Sequence, residues 1–333
     1  MTECHDRRLG IIGAGSVALD HALVAEALGA KVVTASTRKM ESPRWATFQA
    51  AYPDCEFEPD PAAMGERSDI DAIVLCLPWK DQAEWLDWGL SVAKPVLIEK
   101  PIALAAPELR SALDRHRVLS GKLVGYNRRY YRTVAQLSKR LAQGGLRAAE
   151  ITISEGVAGL VQRHGKEVLS FSMEHSGCHL IDLAIHLFGS LSVVHMTCYP
   201  EKHDGVPFNS YNGLLETQAG TPVAFFNNAN DPSRVGIFCK FDDGTHWCLT
   251  PTEILTVYQG YDIVERSSDC QVRQYTPHVT ERMAEDAAYR PGFMAQMRAF
   301  LTGEIGPGCT PAMALGLLEL VGAIKCQAKD VRK

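Results

Sequence analysis

The chain has no apolar run long enough to cross a membrane. Its longest uninterrupted apolar segments hold about eight residues, against the roughly 20 that a spanning helix needs. No secretion signal is recognisable at its start, where "MTECHDRRLGIIGAG" runs straight into a strand and a glycine turn. The ten cysteines include no C-x-x-C pair; scattered in this way they are expected as reduced thiols. An excess of one charge is also missing. The 34 Lys+Arg against 39 Asp+Glu leave a net charge of −5, which gives no general field for nucleic acid or an anionic membrane. Internal repeats and low-complexity tracts are absent. The expectation is a cytoplasmic globular protein with neither a nucleic-acid nor a membrane partner.

A length of 333 residues predicts two domains, and 46% apolar with 22% charged residues is a globular composition. The first third alternates strand and helix signals. "RLGIIGAG", "KVVTAST", "DAIVLCLP", "PVLIEKP" and "KLVGYN" read as strands. "SVALDHALVAEALG", "KDQAEWLDWGLSVA" and "ELRSALDRHRVLSG" read as the helices among them. That rhythm predicts a doubly wound, parallel α/β sheet over residues 1–124. From residue 125 the pattern changes. After the helix "TVAQLSKRLAQGG" and the apolar "GCHLIDLAIHLFG" (177–189), closely spaced strand candidates follow from "SVVHMTCYP" to "ILTVYQG". They predict an α+β domain over 125–333 with a mostly antiparallel sheet. Helices near 291–303 and 311–328 are expected to close the chain and pack back on the first domain.

Gly13-x-Gly15-x-x-Ala18 follows the first strand and opens the first helix. That context suits a dinucleotide turn: glycine admits a pyrophosphate close to the backbone, and N–H groups at Ser16 and Val17 face it from the helix start. A tight strand-to-helix turn of any α/β protein is the plainer reading. An NAD site usually carries an acid at the end of the second strand. Here Ser36, Thr37, Arg38 and Lys39 offer hydroxyls and positive charge, which suits a 2′-phosphate. NADP(H) is therefore the expected cofactor, with NAD(H) the alternative. Leu77 and Pro78 end the strand at 71–78, where ligands of open α/β sheets lie.

"PVLIEKP" ends another strand with Glu99, Lys100 and Pro101. The proline keeps Lys100 out of helical conformation and permits a cis bond. On the helix at 177–189, His179, Asp182 and His186 fall within an arc of about 60°. The glycine turn, "EKP" at 99–101, "GYNRRY" at 125–130 and Asp182-x-x-x-His186 occur in an order that resembles the Gfo/Idh/MocA oxidoreductases. The resemblance implies a Rossmann domain followed by an open-faced sheet, NAD(H) or NADP(H) as cofactor, and sugars or cyclitols as substrates. It implies that Lys100 lies by substrate and nicotinamide, and that Asp182 and His186 stand at the catalytic Asp and His. Glu99 would contact the nicotinamide ribose region, and Asn127 and Arg129 would line cofactor or substrate. Two features depart from the pattern. Trp79 and Gln82 replace a usual small residue and histidine, and His179 replaces a small or apolar residue.

Hydride transfer at an alcohol carbon requires a proton to move at its oxygen. His186 can carry that proton, Asp182 can orient the ring, and Lys100 can polarise the oxygen or join the proton relay, so that either Lys100 or His186 can be the donor. Three alternatives stand beside this: a buried structural Asp–His pair, a His-x-x-Asp-x-x-x-His metal site, and a cofactor-sensing protein without turnover. The expectation is that no metal is used. "YNRRYYR" (126–132) and "RHGK" (163–166) are either solvated surface or the lining of a cleft, with Arg163 and His179 as candidate substrate contacts. The substrate class is a carbohydrate, phosphorylated and nucleotide-linked forms included. A homodimer or homotetramer formed through the C-terminal sheet is expected.

Overall fold

The computed structural model describes residues 4–116, 120–232, 234–269, 271–286 and 288–331. The chain forms two compact units, Met1–Tyr130 with Asp286–Gly322, and Tyr131–Glu285 with Ala323–Lys333. The division thus falls at 130/131 where 124/125 was expected. The physical reason is a set of hydrogen bonds that retain residues 125–130 in the first unit. Asn127 Nδ2 donates to the Pro291 carbonyl at 2.8 Å, the Tyr130 hydroxyl donates to the Ile305 carbonyl at 2.8 Å, and Val124 N–H donates to the Cys309 carbonyl at 2.8 Å.

In the first unit, β1 (Arg8–Ile12), β2 (Lys31–Ser36), β3 (Glu56–Phe57), β4 (Ala72–Leu75), β5 (Val96–Ile98) and β6 (Lys122–Val124) form one sheet. The order is β3-β2-β1-β4-β5-β6 and every pairing is parallel. β4 and β5 are apolar throughout and buried, as is β1 after Arg8, as both-face coverage demands. The helices are α1 (Ser16–Ala27), α2 (Pro43–Ala51), α3 (Gln82–Ser91) and α4 (Ala106–Arg115). The expected extension of α4 through 117–119 lies outside the described residues.

The second unit holds α5 (Arg132–Ala142), β7 (Leu146–Glu155), α6 (Val157–His164), α7 (Cys178–Phe188), β8 (Leu191–His203), β9 (Val206–Thr217) and β10 (Pro222–Ala229). It continues with β11 (Gly236–Phe241), β12 (Thr245–Leu249), β13 (Ile254–Val264) and β14 (Gln274–Ala284). The chain then forms α8 (Phe293–Thr302), α9 (Pro311–Gln327) and β15 (Lys329–Asp330). α8 buries Phe293, Met297, Phe300 and Leu301 in the core of the first unit. The second sheet runs β14-β13-β12-β11-β7-β10-β9-β8-β15. It is antiparallel except where β10 meets β7 and β15 meets β8. α7 packs on β7 and β11 beside α5.

Between α6 and α7 the chain makes one π turn, Met173–Gly177. Behind it lies Glu155, 6% exposed at the end of β7. Burial pushes its carboxyl up to about 7; hydrogen bonds from Ser172 and the Gly177 N–H only partly oppose this, and Glu174 adds to the rise. Glu174 itself is paired with Lys325 at 2.6 Å. A carboxyl raised in the folded state from its ordinary 4.5 contributes stability below that value and loses it as pH climbs through 7. Glu155→Gln removes this titration. Between pH 5 and pH 7.5, urea unfolding should show the native protein losing up to about 3 kcal/mol more than the variant. Equal losses would mean that Glu155 ionises in the folded protein as freely as in the unfolded chain.

Candidate functional site

The first unit gathers most of the residues singled out in the sequence. Gly13 has φ +110°, and a Cβ there would stand 2.2 Å from the Cys76 carbonyl oxygen, so only glycine fits between the ends of β1 and β4. Its N–H donates to the Ser36 carbonyl at 2.8 Å, tying the turn to the end of β2. Gly15 caps α1 without any side-chain hydrogen bond, and a Cβ there would meet nothing within 4 Å. The N–H groups of Ser16 and Val17 precede the first intrahelical bond, which joins Leu19 to Gly15. An uncapped helix start facing open space fits a pyrophosphate.

Ser36 is fully buried, and its hydroxyl has no partner among the described residues. Thr37 is half-buried and Arg38 exposed. The Arg38 guanidinium, 81% exposed, pairs with Asp81, the residue that begins α3. Asp81 carries no signal in the sequence, because the acid of an NAD site is expected at the end of β2 and Asp81 comes from the loop after β4. Leu77 is half-buried and Pro78 exposed in the loop that joins β4 to α3.

Glu99 follows β5 and is 8% exposed. Its Oε1 lies 2.8 Å from His21 Nε2, and its Oε2 accepts from the Lys100 N–H at 3.2 Å. Gln82, buried, donates to the Glu99 carbonyl at 3.3 Å. Burial would push the Glu99 carboxyl up. The His21 hydrogen bond and charge, with Lys100, outweigh burial and hold it below the ordinary carboxylate range. The Lys100–Pro101 peptide is cis, and Lys100 is half-buried. Both oxygens of Glu99 are thus engaged within the protein. Asn127 and Arg129 are buried too. Asn127 holds Pro291, and Arg129 donates to the Pro307 carbonyl at 3.4 Å. They join the returning segment to the sheet, a structural task that the "YNRRYYR" pattern did not disclose.

The second unit carries the other candidates. Asp182 is 2% exposed on the buried face of α7; His179, in its first turn, and His186, in its last, are half-buried. Arg163 is exposed at the end of α6, beside His164, whose ring meets that of His175 at 4.3 Å. Among the described residues no group of three or more His, Cys, Asp or Glu is placed to hold a metal ion. No helix among them is long and apolar enough to cross a membrane.

A parallel sheet in this strand order, with a glycine turn after β1 and an uncapped helix start, defines a dinucleotide-binding α/β protein. Residues 7–124 match the model of the GFO_IDH_MocA family, described as an oxidoreductase family with an NAD-binding Rossmann fold. The match covers 118 of the 333 residues, and over them the chain is similar to that family. It is 32% identical to inositol 2-dehydrogenase 4 of Saccharopolyspora erythraea over 42% of each chain, so the match spans less than half of that relative. It is 29% identical to dTDP-3,4-didehydro-2,6-dideoxy-alpha-D-glucose 3-reductase of Actinomadura kijaniata over 97% of this chain and 96% of the relative. The crystal structure of KijD10, a 3-ketoreductase from Actinomadura kijaniata in complex with NADP and TDP-benzene, has the same fold. Its TM-score is 0.69 at 20% identity, covering 98% of this chain and 99% of that one.

The two glycines of the turn separate fold from ligand. Gly13→Ala should cost about 2 kcal/mol or more, through strain and the clash with Cys76. Gly15→Ala should change stability by less than about 1 kcal/mol and yet raise the cofactor dissociation constant about tenfold or more, or 1.4 kcal/mol. Thermal unfolding and nicotinamide fluorescence titration read the two effects; unaltered affinity in Gly15→Ala would remove the pyrophosphate from this turn.

Proposed function

We propose that the protein is an NAD(P)-dependent oxidoreductase that interconverts ketone and alcohol on a sugar, cyclitol or nucleotide sugar, with NADPH-dependent ketone reduction as its direction. The observation that carries this reading is the glycine turn together with Lys100 at the carboxyl end of β5. When bound, the nicotinamide supplies or takes up the two reducing electrons. The N–H groups after Gly15 would hold its pyrophosphate, and Thr37, Arg38 and Lys39 a 2′-phosphate. Asp81 supports a second reading, NAD(H), because a carboxylate beside Arg38 can accept from ribose hydroxyls. The nine described cysteines, all free thiols, suit a cytoplasmic enzyme.

In this proposal Lys100 in the first unit and a histidine of α7 in the second are the residues of turnover: a lysine can hold a substrate oxygen, and an imidazolium can give up a proton. Asp182 lies three residues after His179 and four before His186, so it can orient either ring. Positive charge is favoured at the carboxyl end of a helix and disfavoured at its amino end. An imidazolium donor therefore suits His186, in the last turn of α7, with His179 as a substrate contact.

Oxidation of NADPH and NADH by a panel of keto-sugars and nucleotide sugars tests the whole reading. NADPH should bind more tightly than NADH. Lys100→Ala and His186→Ala should each lower kcat about a hundredfold with cofactor affinity kept, while His179→Ala should mainly raise KM. Loss of kcat in His179→Ala alone would transfer the proton to that residue. Cofactor binding without turnover on any substrate would favour a sensor.

The outer part of the β13–β14 ribbon is exposed on both faces and carries Tyr261, Ile263, Val264, Val272 and Tyr275. A two-stranded ribbon with that much exposed apolar surface is marginal alone, which supports a homodimer or homotetramer assembled through this sheet. Sedimentation should give at least twice the 36.5 kDa chain mass, and the double variant Tyr261→Asp, Val272→Asp should reduce it. A native protein that sediments as a monomer would end this proposal.

A further inference from the structure

His21 takes no part in the reaction proposed above. It lies in the second turn of α1, the helix that starts at the glycine turn, with a fully buried side chain. Its ring stacks on Phe293, centroids 4.6 Å apart and planes 28° from parallel. Arg290 covers the other partner of that stack, 4.8 Å from the Phe293 centroid, and pairs with Asp20 at 3.0 Å. The ring is therefore clamped in one orientation. Among the described residues Nδ1 has no hydrogen-bond partner, so the side chain of His21 is held by the 2.8 Å bond from Nε2 to Glu99 Oε1.

The consequence is felt at Lys100. Glu99 can point one oxygen at the Lys100 N–H only while the other is held, because a carboxylate this buried needs both oxygens matched. Gly125 closes the remaining side: a Cβ there would come within 3.0 Å of the carboxylate. We propose that His21 is the positioning residue of Lys100, holding Glu99 so that its second oxygen fixes the backbone from which the Lys100 side chain leaves β5. It rests on the reading above only in assigning Lys100 a role in turnover. The chain of contacts also ties the cofactor helix to the residue that would meet the substrate.

Two variants separate positioning from packing. His21→Leu keeps the bulk and removes the donor; His21→Gln keeps an N–H. Hydrogen exchange of the 96–101 segment, measured by mass spectrometry without cofactor or substrate, should be faster in His21→Leu and near native in His21→Gln. In the same comparison kcat should fall about tenfold or more in His21→Leu, with KM and cofactor affinity moving by less than about threefold, and His21→Gln should recover most of it. Native-like exchange in His21→Leu, or no recovery in His21→Gln, overturns the proposal. If His21→Leu does not fold, Glu99→Gln replaces it: of the two atoms that meet His21 and the Lys100 N–H, one is then an amide nitrogen, which cannot accept, so unchanged exchange there also overturns it. The exchange result stands by itself, whereas full turnover by Lys100→Ala would refute the reaction assignment alone.

Discussion

A carboxylate buried at the carboxyl end of β5 constrains everything around it. An ion removed from water loses several kcal/mol of solvation, and only close donors return it. Glu99 finds them in His21 and in the Lys100 N–H. Those bonds require α1 to pass at one distance from β5, and so they set where the glycine turn that begins α1 can lie. They require a glycine at 125, since any side chain there would occupy the carboxylate's place. Gln82, bonded to the Glu99 carbonyl, extends the same constraint to the start of α3. The pair's strength is visible in Glu99 itself, which stays below the ordinary carboxylate range although burial acts the other way.

The expected histidine at position 82 would have offered one ring to this neighbourhood. The glutamine found there is 2% exposed and bonded to backbone, so the departure is a structural substitution within the first unit. The cluster also shows why His21 carries no signal in the sequence. His21 stands in "SVALDHALVAEALG" as one polar residue on a helix otherwise apolar on that side, and nothing in the spacing connects it to a residue 78 positions away. Local patterns disclose elements; they do not disclose which side chains the sheet brings together.

Elements with strong local signals were legible. β4 and β5 are short apolar runs, and α1, α5, α7 and α8 each run into a glycine stop. α2 was missed although Ser42 caps it, accepting from the Trp45 N–H at 3.1 Å, with Pro43 at the first helical position. β7 shows strand alternation in its second half, around Ile151 and Ile153, whereas its first half, Leu146 to Glu150, consists of strong helix formers. β14 carries Pro277 and almost no buried residue, so neither composition nor alternation marks it as a strand. Of the candidate site, the glycine turn was readable because the geometry at Gly13 forbids any other residue. Asn127 and Arg129 were not, because their partners are backbone carbonyls contributed by residues 286–322.

The end of β2 shows how far charge counting alone can mislead. The sequence places Arg38 where no acid precedes it, and the fold then supplies one from the loop after β4. That pair does not block a phosphate. The guanidinium is 81% exposed, and exposed pairs contribute about 0–1 kcal/mol. A phosphate with two charges, bound by both guanidinium arms, gains more than a single carboxylate can give. Asp81 is not stranded when Arg38 turns away, because it begins α3, where the helix's positive end stabilises a carboxylate. Ribose hydroxyls would instead use Asp81 and leave Arg38 in place. In the proposed function the same two side chains would serve either cofactor at low cost, and preference between them would be set by how much phosphate charge Arg38, Lys39 and the hydroxyl of Thr37 could satisfy together.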